Sequence, residues 1–370
     1  MESRLFKLTG RGSAEAAAFR GELADLALAE RHGSFDTVAD YVADLARRTV
    51  CLTLLAGSGS RWLKSLALAS GPSDTEESRK IAGFDTTRPR GLFPVRDFLL
   101  GGERIPIAAY ALAAVKGLGR QLIVVRGWEA QIDAEILAPL GIFPCHAKGK
   151  WGPCERRFFT QLAPFGKPLG HGDAAWQSSP LWAGADYVIA NFGGDANSRR
   201  TIVSSLLALD ALRAQGAALD LLMPAAPFES PAYPIGLDEE GLPRSFGHAK
   251  LQGGAAALVG SPGLGTREGG AGYTNVGVRV YSGPALLKKV EYFRSNFWEE
   301  GRGYVIPGND PEGGEFALDN VDSAFAAEGR ARILAIARPE ELTPAKTLGE
   351  VPAFERAIEE VVSGDRGLLL

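Results

Sequence analysis

A glycine- and serine-rich turn that ends in an arginine is the first sign of chemistry in the sequence. The turn, Leu55-Ala56-Gly57-Ser58-Gly59-Ser60-Arg61, follows an apolar run at 49–55 whose β-branched residues are typical of a buried strand. Residues 61–68 are predicted to be helical. A strand, a glycine-rich turn and a helix together point backbone N–H groups and a positive helix end at a phosphate. Arg61 is placed to bind phosphate oxygens through two parallel hydrogen bonds.

Two well-known phosphate loops are excluded by the spacing of this turn. The dinucleotide fingerprint requires a third glycine at the position of Trp62, and the P-loop requires a Gly-Lys-Ser/Thr ending that is missing here. Taken alone, the turn is equally consistent with a structural connection between a strand and a helix. Its assignment therefore depends on the motifs that follow it.

Two further motifs follow in chain order, Pro89-Arg90-Gly91-Leu92-Phe93-Pro94-Val95 and Leu169-Gly170-His171-Gly172-Asp173. The turn and the first of these resemble the Leu-x-Gly-Gly-x-Gly-Thr-Arg and Pro-Lys-x-Leu-x-Pro-Val signatures of sugar-1-phosphate nucleotidyltransferases. The second is similar to the Pro-Gly-His-Gly-Asp motif of UDP-sugar pyrophosphorylases. The resemblance covers roughly residues 49–335. The chain departs from it at Ala56 and Ser60, which replace a glycine and a threonine, and at Arg90, which replaces the lysine.

This resemblance implies a three-layer α/β fold with a mostly parallel sheet of the GT-A-like (Rossmann-like) kind. It also implies a reaction that joins a nucleoside triphosphate, with UTP expected, to a sugar 1-phosphate and releases pyrophosphate with the help of Mg²⁺. Arg61 would hold the leaving phosphates, and Arg90 would lie near the α-phosphate or the sugar phosphate. The implied nucleotide-binding residues are Leu55, Ala56, Gly57, Ser58, Gly59, Ser60, Gly170, His171, Gly172 and Asp173.

Two aspartates are the metal ligands that the resemblance implies. Asp195 directly follows a predicted strand at 186–192, and Asp319 lies in a segment that resembles the late Trp-x-Asp-Val-Gly-Thr segment of the family. Mg²⁺ prefers one or two carboxylates together with substrate phosphates. Asp195 is also a candidate N-cap of the next helix. Asp322 is the alternative second ligand, or a cap for a helix at 323–328.

The sugar phosphate is expected to contact Asn275 and Lys250. Residues 272–278 resemble an Asn-x-Gly strand whose asparagine contacts the sugar in the family. A plain strand start fits Asn275 equally well. The family also has a glutamate between these strands, whereas residues 245–250 contain none, so the identity of the sugar stays open.

Strand and helix patterns alternate between residues 105 and 224, which predicts a mainly parallel sheet covered on both faces. Ligands of such sheets bind at the carboxyl ends of the strands. Upstream, two helices are predicted within 13–48, the second capped by Ser34 or Asp36. The expected organisation is a helical extension at 1–48, a nucleotidyltransferase domain at 49–338 and a helical tail at 339–370.

Composition restricts the partners. The 370 residues carry a net charge of −4, which gives no reason to expect a nucleic-acid partner. No apolar run is long enough for a membrane span. Three widely spaced cysteines are typical of a reducing compartment, and the cytoplasm is expected. The expected partners are small molecules, and the oligomeric state is left open.

Two other functions remain open at this stage. A glycosyltransferase that uses a nucleotide sugar has a similar sheet, and Asp195-Ala196-Asn197 partly matches its Asp-x-Asp motif. A catalytically weak, nucleotide-binding homologue is the other alternative, because Arg90 replaces the lysine and the glutamate near Lys250 is missing.

Overall fold

A large mixed sheet with helices on both faces forms the centre of the protein. The computed structural model describes residues 3–9, 11–56, 62, 65, 88–145, 152–228, 234–238, 241–246, 272–309 and 314–366. In chain order the strands are β1 (Thr49–Leu54), β2 (Pro94–Arg96), β3 (Arg104–Pro106), β4 (Arg120–Val125), β5 (Phe143–Pro144), β6 (Glu155–Thr160), β7 (Tyr187–Phe192), β8 (Leu221–Phe228), β9 (Pro234–Leu237), β10 (Pro243–Phe246), β11 (Gly272–Asn275), β12 (Val278–Ser282), β13 (Trp298–Glu299), β14 (Gly303–Tyr304) and β15 (Ala331–Leu334).

The main sheet runs in the order β10-β9-β11-β8-β12-β7-β1-β4-β6-β5, and β15 pairs with β8. From β7 to β5 the neighbouring strands are parallel, as the alternating sequence pattern predicted. Strand β12 is antiparallel to both of its neighbours, β7 and β8. The α/β class is therefore confirmed, and the sheet is mixed.

The α-helices are α1 (Arg4–Leu8), α2 (Leu23–Glu30), α3 (Val38–Arg48), α4 (Ala108–Val115), α5 (Glu129–Ile132), α6 (His171–Ser178), α7 (Arg199–Ala214), α8 (Gly283–Phe297), α9 (Leu318–Ala327) and α10 (Val351–Gly364). A π-helical turn, Asp133–Leu137, continues α5. Short 3₁₀ helices lie at Arg11–Phe19, Arg90–Leu92, Ser179–Leu181, Pro339–Leu342 and Leu348–Glu350. In the described part of the chain, no helix is long and apolar enough to cross a membrane.

Apolar side chains pack on both faces of the sheet. Helices α6, α8 and α9 cover one face, which we call the α9 face, around Phe316, Tyr281 and Phe325. The opposite face is covered by α1, α2, α3 and α7 in one region and by α4, α5 and α10 in another. Both terminal segments thus contribute to the buried core.

Three local predictions were wrong. The first N-terminal helix is divided into the 3₁₀ helix Arg11–Phe19 and α2, with a turn around Gly21 between them. The second, α3, is capped by Thr37, whose hydroxyl accepts a hydrogen bond from the Asp40 N–H at 3.1 Å. Asp322 lies within α9 and does not cap a later helix.

Candidate functional site

The order of the strands locates the candidate site at the ends of β1 and β7. Along the chain, β4 and β6 are added on one side of β1, and β7 then returns to its other side. Open α/β sheets bind ligands in the crevice outside the carboxyl ends of the strands where the order reverses. The segments at this point are Leu55-Ala56 after β1 and Gly193-Gly194-Asp195 after β7.

These two segments are packed closely together. The Gly193 N–H donates to the Leu54 carbonyl at 3.4 Å, and the Leu55 side chain occupies the space where a β-carbon on Gly193 would lie. Leu55 also lies 3.6 Å from the corresponding position on Gly91. Its side chain therefore packs between the glycines of two motifs, and a contact of Leu55 with a nucleotide stays a prediction.

Arg90 reaches the same place from the short 3₁₀ helix Arg90–Leu92. Its guanidinium lies against the α-carbon of Gly194, because an ideal β-carbon there would be 2.6 Å from Cζ and 3.0 Å from Nε. Glycine at this position is what admits the planar group. The structure thus places the Arg90 guanidinium beside the loop after β7.

The carboxylate of Asp195 lies on the other side of this loop, against Gly277. A β-carbon on Gly277 would overlap it, at 2.5 Å from Cγ and 2.7 Å from Cβ of Asp195. Asp195 is half-buried, and no described residue donates a hydrogen bond to its carboxylate or forms an ion pair with it. It is not the helix cap, since Ser198 caps α7 and accepts a hydrogen bond from the Thr201 N–H at 3.3 Å.

Asn197, the third residue of the partial Asp-x-Asp match, points into the protein. Its Nδ2 donates to Oδ1 of Asn191 at 2.7 Å and lies 3.5 Å from the Gly277 carbonyl. Only 3% of Asn197 is exposed. A glycosyltransferase Asp-x-Asp motif would supply two metal ligands. Here only the Asp195 side chain is left for that role, because Asn197 is buried.

A buried ion cluster lies on the α9 face, at β12 and α9. Arg279 of β12 donates from Nη2 to Asp319 at 2.8 Å and from Nε to Asp322 at 2.7 Å. The Tyr281 hydroxyl donates to the second oxygen of Asp322 at 2.5 Å. Both carboxylates come from α9, one helical turn apart, and β12 supplies both donors two residues apart, on one face of the strand.

The charges in this cluster do not balance, because two carboxylates face one guanidinium. Burial raises the pKa of Asp322 to about 6, against the opposing effect of Arg279. Burial, followed by the neighbouring Asp322 carboxylate, also raises the pKa of Tyr281. Asp319 shares the same cation, so a metal ion at Asp319 would compete with Arg279.

His171 connects the third motif to this cluster. Its Nδ1 accepts a hydrogen bond from the Leu318 N–H at 2.8 Å, which leaves the proton of a neutral imidazole on Nε2. Nε2 faces Oδ2 of Asp319 at 3.5 Å. The ring meets Phe192 edge-on at 5.1 Å, and Arg279 lies over that phenylalanine at a similar distance, 5.1 Å.

Gly172 and Asp173 are largely engaged with the protein itself. Their N–H groups donate to the Phe316 carbonyl at 2.9 and 3.3 Å, and a β-carbon on Gly172 would meet the Phe316 ring. The Asp173 carboxylate is buried and accepts hydrogen bonds from Gln161, Gln177 and Tyr304. Backbone recognition of a base by these two N–H groups would require the bonds to Phe316 to break.

The N-cap of α6, Gly170, has φ +94°, and a β-carbon there would collide with the Phe316 carbonyl oxygen. This close approach requires glycine. Its carbonyl accepts hydrogen bonds from the Ala174 N–H and from Nε2 of Gln161, both at 3.1 Å. A contact of Gly170 with a nucleotide stays a prediction.

Asn275 carries a buried donor that is unused among the described residues. It lies opposite Ala225 in the antiparallel β11–β8 pair, and Ala225 belongs to the core of the α9 face. Directly opposed residues share a face of the sheet, so Asn275 points to the same face as Arg279. Its Nδ2 is buried without a hydrogen-bond partner in the described part of the chain, as a ligand-binding amide would be.

Several predicted site residues lie outside the described residues. These are Gly57, Ser58, Gly59, Ser60, Arg61 and Lys250. Ala56, the last residue before this gap, is buried in the core of the α9 face. Trp62 is buried and meets the ring of Phe93 edge-on at 4.9 Å.

Sequence reasoning missed residues 344–348, a segment that we call the strap. It contacts both the loop after β7 and Ser65. Pro344 forms an isolated β-bridge with Asp195, and the Ala345 N–H donates to the Gly194 carbonyl at 3.1 Å. At the other end, the Leu348 N–H donates to Oγ of Ser65 at 3.0 Å. Lys346 lies between these contacts, and its N–H donates to Oε2 of Glu350 at 2.6 Å. The strap has no motif that could have revealed it.

Comparison with protein-family models and with curated proteins found no match. Within the described residues, no group of three or more His, Cys, Asp or Glu side chains is arranged to hold a metal ion. A function for the protein is therefore supported by the geometry of the Gly193-Gly194-Asp195 loop and by the three sequence motifs.

Proposed function

We propose that the protein is a nucleotidyltransferase of the GT-A-like kind, which joins a nucleoside triphosphate to a sugar 1-phosphate and releases pyrophosphate. The observation that carries this proposal is the loop Gly193-Gly194-Asp195. It has the guanidinium of Arg90 on one side and the carboxylate of Asp195 on the other, at the carboxyl ends of β1 and β7. A cation for phosphate oxygens next to a carboxylate available to a metal ion is what phosphoryl chemistry requires.

The reaction requires little proton transfer, because the attacking sugar phosphate is already anionic at neutral pH. It requires alignment of the attacking oxygen with the leaving pyrophosphate and neutralisation of the developing charge. Arg90 would bind the α-phosphate or the sugar phosphate. On the motif evidence, Arg61 would bind the leaving phosphates.

Asp195 fits a Mg²⁺ ligand, since it is half-buried and unpaired among the described residues. Asp319 fits less well, because its Oδ1 accepts a hydrogen bond from Arg279. When bound, Mg²⁺ would neutralise charge on the reacting phosphates. The Asp195 carboxylate would keep its place for the ion through its contact with Gly277.

The remaining ligand groups would be recognised on the α9 face. The unused Nδ2 of Asn275 is a donor for a sugar or phosphate oxygen. Lys250 stays the second predicted contact of the sugar phosphate. His171 and the adjacent turn are the predicted location of the base, for which uracil is expected from the motif resemblance.

Pyrophosphate release from a panel of triphosphates and sugar 1-phosphates tests the proposal. UTP, ATP, GTP and CTP would each be combined with the 1-phosphates of glucose, galactose and N-acetylglucosamine, with Mg²⁺ and with EDTA as the control. We expect Mg²⁺-dependent release for at least one pair. Binding of a nucleotide without turnover would support the weak homologue, and transfer of sugar from a nucleotide sugar would support a glycosyltransferase.

A further inference from the structure

The loop that carries Asp195 is held from behind by the C-terminal segment 338–366. The strap binds the loop directly through the Ala345–Gly194 hydrogen bond and the Pro344–Asp195 bridge. Immediately after the loop, the N-terminus of α7 is held by two buried carboxylates of the same segment, Glu341 and Asp365.

Both carboxylates accept hydrogen bonds from the first residues of α7. The Ser198 N–H donates to Oε2 of Glu341 at 3.1 Å, and the Arg199 N–H donates to Oδ2 of Asp365 at 2.7 Å. The Ser198 hydroxyl donates to Oδ1 of Asp365 at 3.0 Å. Negative charge at a helix N-terminus is favourable, and charge-assisted hydrogen bonds are the stronger ones.

Glu341 also connects this point to the N-terminal segment. Its Oε1 accepts hydrogen bonds from Nη2 of Arg20 at 2.7 Å, the Thr201 hydroxyl at 3.0 Å and the Arg338 N–H at 2.9 Å. Both of its oxygens therefore face donors. In Glu341→Gln, the amide nitrogen would replace one of these acceptor oxygens and would then face another hydrogen-bond donor.

We propose that Glu341 is a positioning residue, and that it and the strap together hold the Asp195 loop in place, with the strap bound at its other end to Ser65. The segment at 338–366 then positions the loop that forms the phosphate site. It is not an appended tail. The structural part of the proposal is independent of the proposed function, and only its ligand-binding consequence depends on it.

Hydrogen–deuterium exchange on the full chain without ligand tests the structural part. Glu341→Gln keeps the size of the side chain and removes its charge. We expect exchange of the amides at 193–199 and 344–348 to become about tenfold faster, as loss of a charge-assisted hydrogen bond implies.

Asp210→Asn is the matched control. Asp210 is a buried carboxylate on the same helix, bound by the hydroxyls of Tyr41 and Tyr187 at 2.6 and 2.8 Å. It lies about 16 Å along α7 from Arg199. This variant should leave exchange at 193–199 unchanged. Wild-type exchange in folded Glu341→Gln, or equal acceleration in both variants, would overturn the proposal.

Ser65→Ala tests the other end of the strap and covers the case in which Glu341→Gln does not fold. It removes the acceptor of the Leu348 N–H, together with the hydrogen bond that the Ser65 hydroxyl donates to the Trp62 carbonyl at 2.8 Å. Faster exchange at 345–348 is expected, and unchanged exchange there would show that the contact with Ser65 does not hold the strap in place.

Calorimetry with pyrophosphate and Mg²⁺ gives the consequence for the site. We expect binding about tenfold weaker in Glu341→Gln and unchanged in Asp210→Asn. No binding by the wild type would count against the proposed function alone, whereas wild-type affinity in Glu341→Gln would count against positioning.

Discussion

The carboxylate of Asp195 occupies the space that a side chain at Gly277 would need, with its Cγ 2.5 Å from the ideal β-carbon position. The Gly277 carbonyl also accepts a hydrogen bond from the Phe192 N–H at 3.2 Å, which ties the start of β12 to the end of β7. The carboxylate thus fits in this place only because residue 277, which lies between β11 and β12, has no side chain. Such a contact cannot be read from either residue alone.

Gly194→Ala should displace Arg90 without unfolding the protein. A β-carbon at this position would collide with the guanidinium, which ends a flexible side chain and can move away. We expect pyrophosphate release to fall about tenfold or more while the melting temperature stays within a few degrees. Gly184→Ala is the control, because nothing lies within 4 Å of its β-carbon position. Equal activity of the two variants would remove Arg90 from the site.

Asp195→Asn should lower activity without affecting stability, whereas Asp319→Asn should lower stability. Asp195→Asn removes an unpaired charge, so we expect Mg²⁺-dependent turnover to collapse and thermal stability to persist. Asp319→Asn weakens the charge-assisted hydrogen bond that Asp319 accepts from Arg279, while Asp322 still neutralises the guanidinium, so we expect a loss of about 1 kcal/mol of stability. Thermal unfolding and Mg²⁺ titration of pyrophosphate release measure both effects. A large drop in melting temperature for Asp195→Asn would indicate a structural role instead.

Arg90→Lys should lower activity. The guanidinium is planar and lies along Gly194, whereas an ammonium is compact and would leave that contact. The measurement is pyrophosphate release by the wild type and the variant side by side. A gain of turnover with lysine, or its appearance where the wild type has none, would favour a decayed site over an adapted enzyme.

Asp322 should make stability depend on pH between about 4 and 6. Burial raises its pKa from 3.8 to about 6, so the folded state binds a proton that the unfolded state releases in this window. The corresponding stabilisation is present below pH 4 and is lost as the pH rises through 6, an effect of about 3 kcal/mol. Urea unfolding of the wild type and Asp322→Asn at several pH values measures it. The difference in unfolding free energy between the two should change across this window, and a constant difference would contradict the shift.

The sequence predicted the central elements well where apolar runs are continuous. The strands expected at 49–55 and 186–192 are β1 and β7, each of which differs from the prediction by one residue at one end. Prediction failed in the N-terminal segment, where Gly21 and the cap at Thr37 divide a helical pattern differently. Local propensity is a weak guide there, because packing on α7 decides which turns persist.

Part of the candidate site was also predictable. His171 and Asp319 face each other, and Asn275 points to the same face of the sheet, although their roles stay predictions. Arg279 was missed, because its partners are 40 and 43 residues away along the chain and no local pattern announces an ion pair. The strap was missed for the same reason.

The Arg20–Glu341 contact has a consequence for how the protein folds. It joins residues that are 321 positions apart in the sequence. The hydrogen bond between Ser198 and Glu341 joins residues that are 143 positions apart. Contacts between distant residues close large loops, and folds that depend on them form slowly. The surroundings of Asp195 include Pro344 and Ala345, so they are complete only once the C-terminal segment has docked on the sheet.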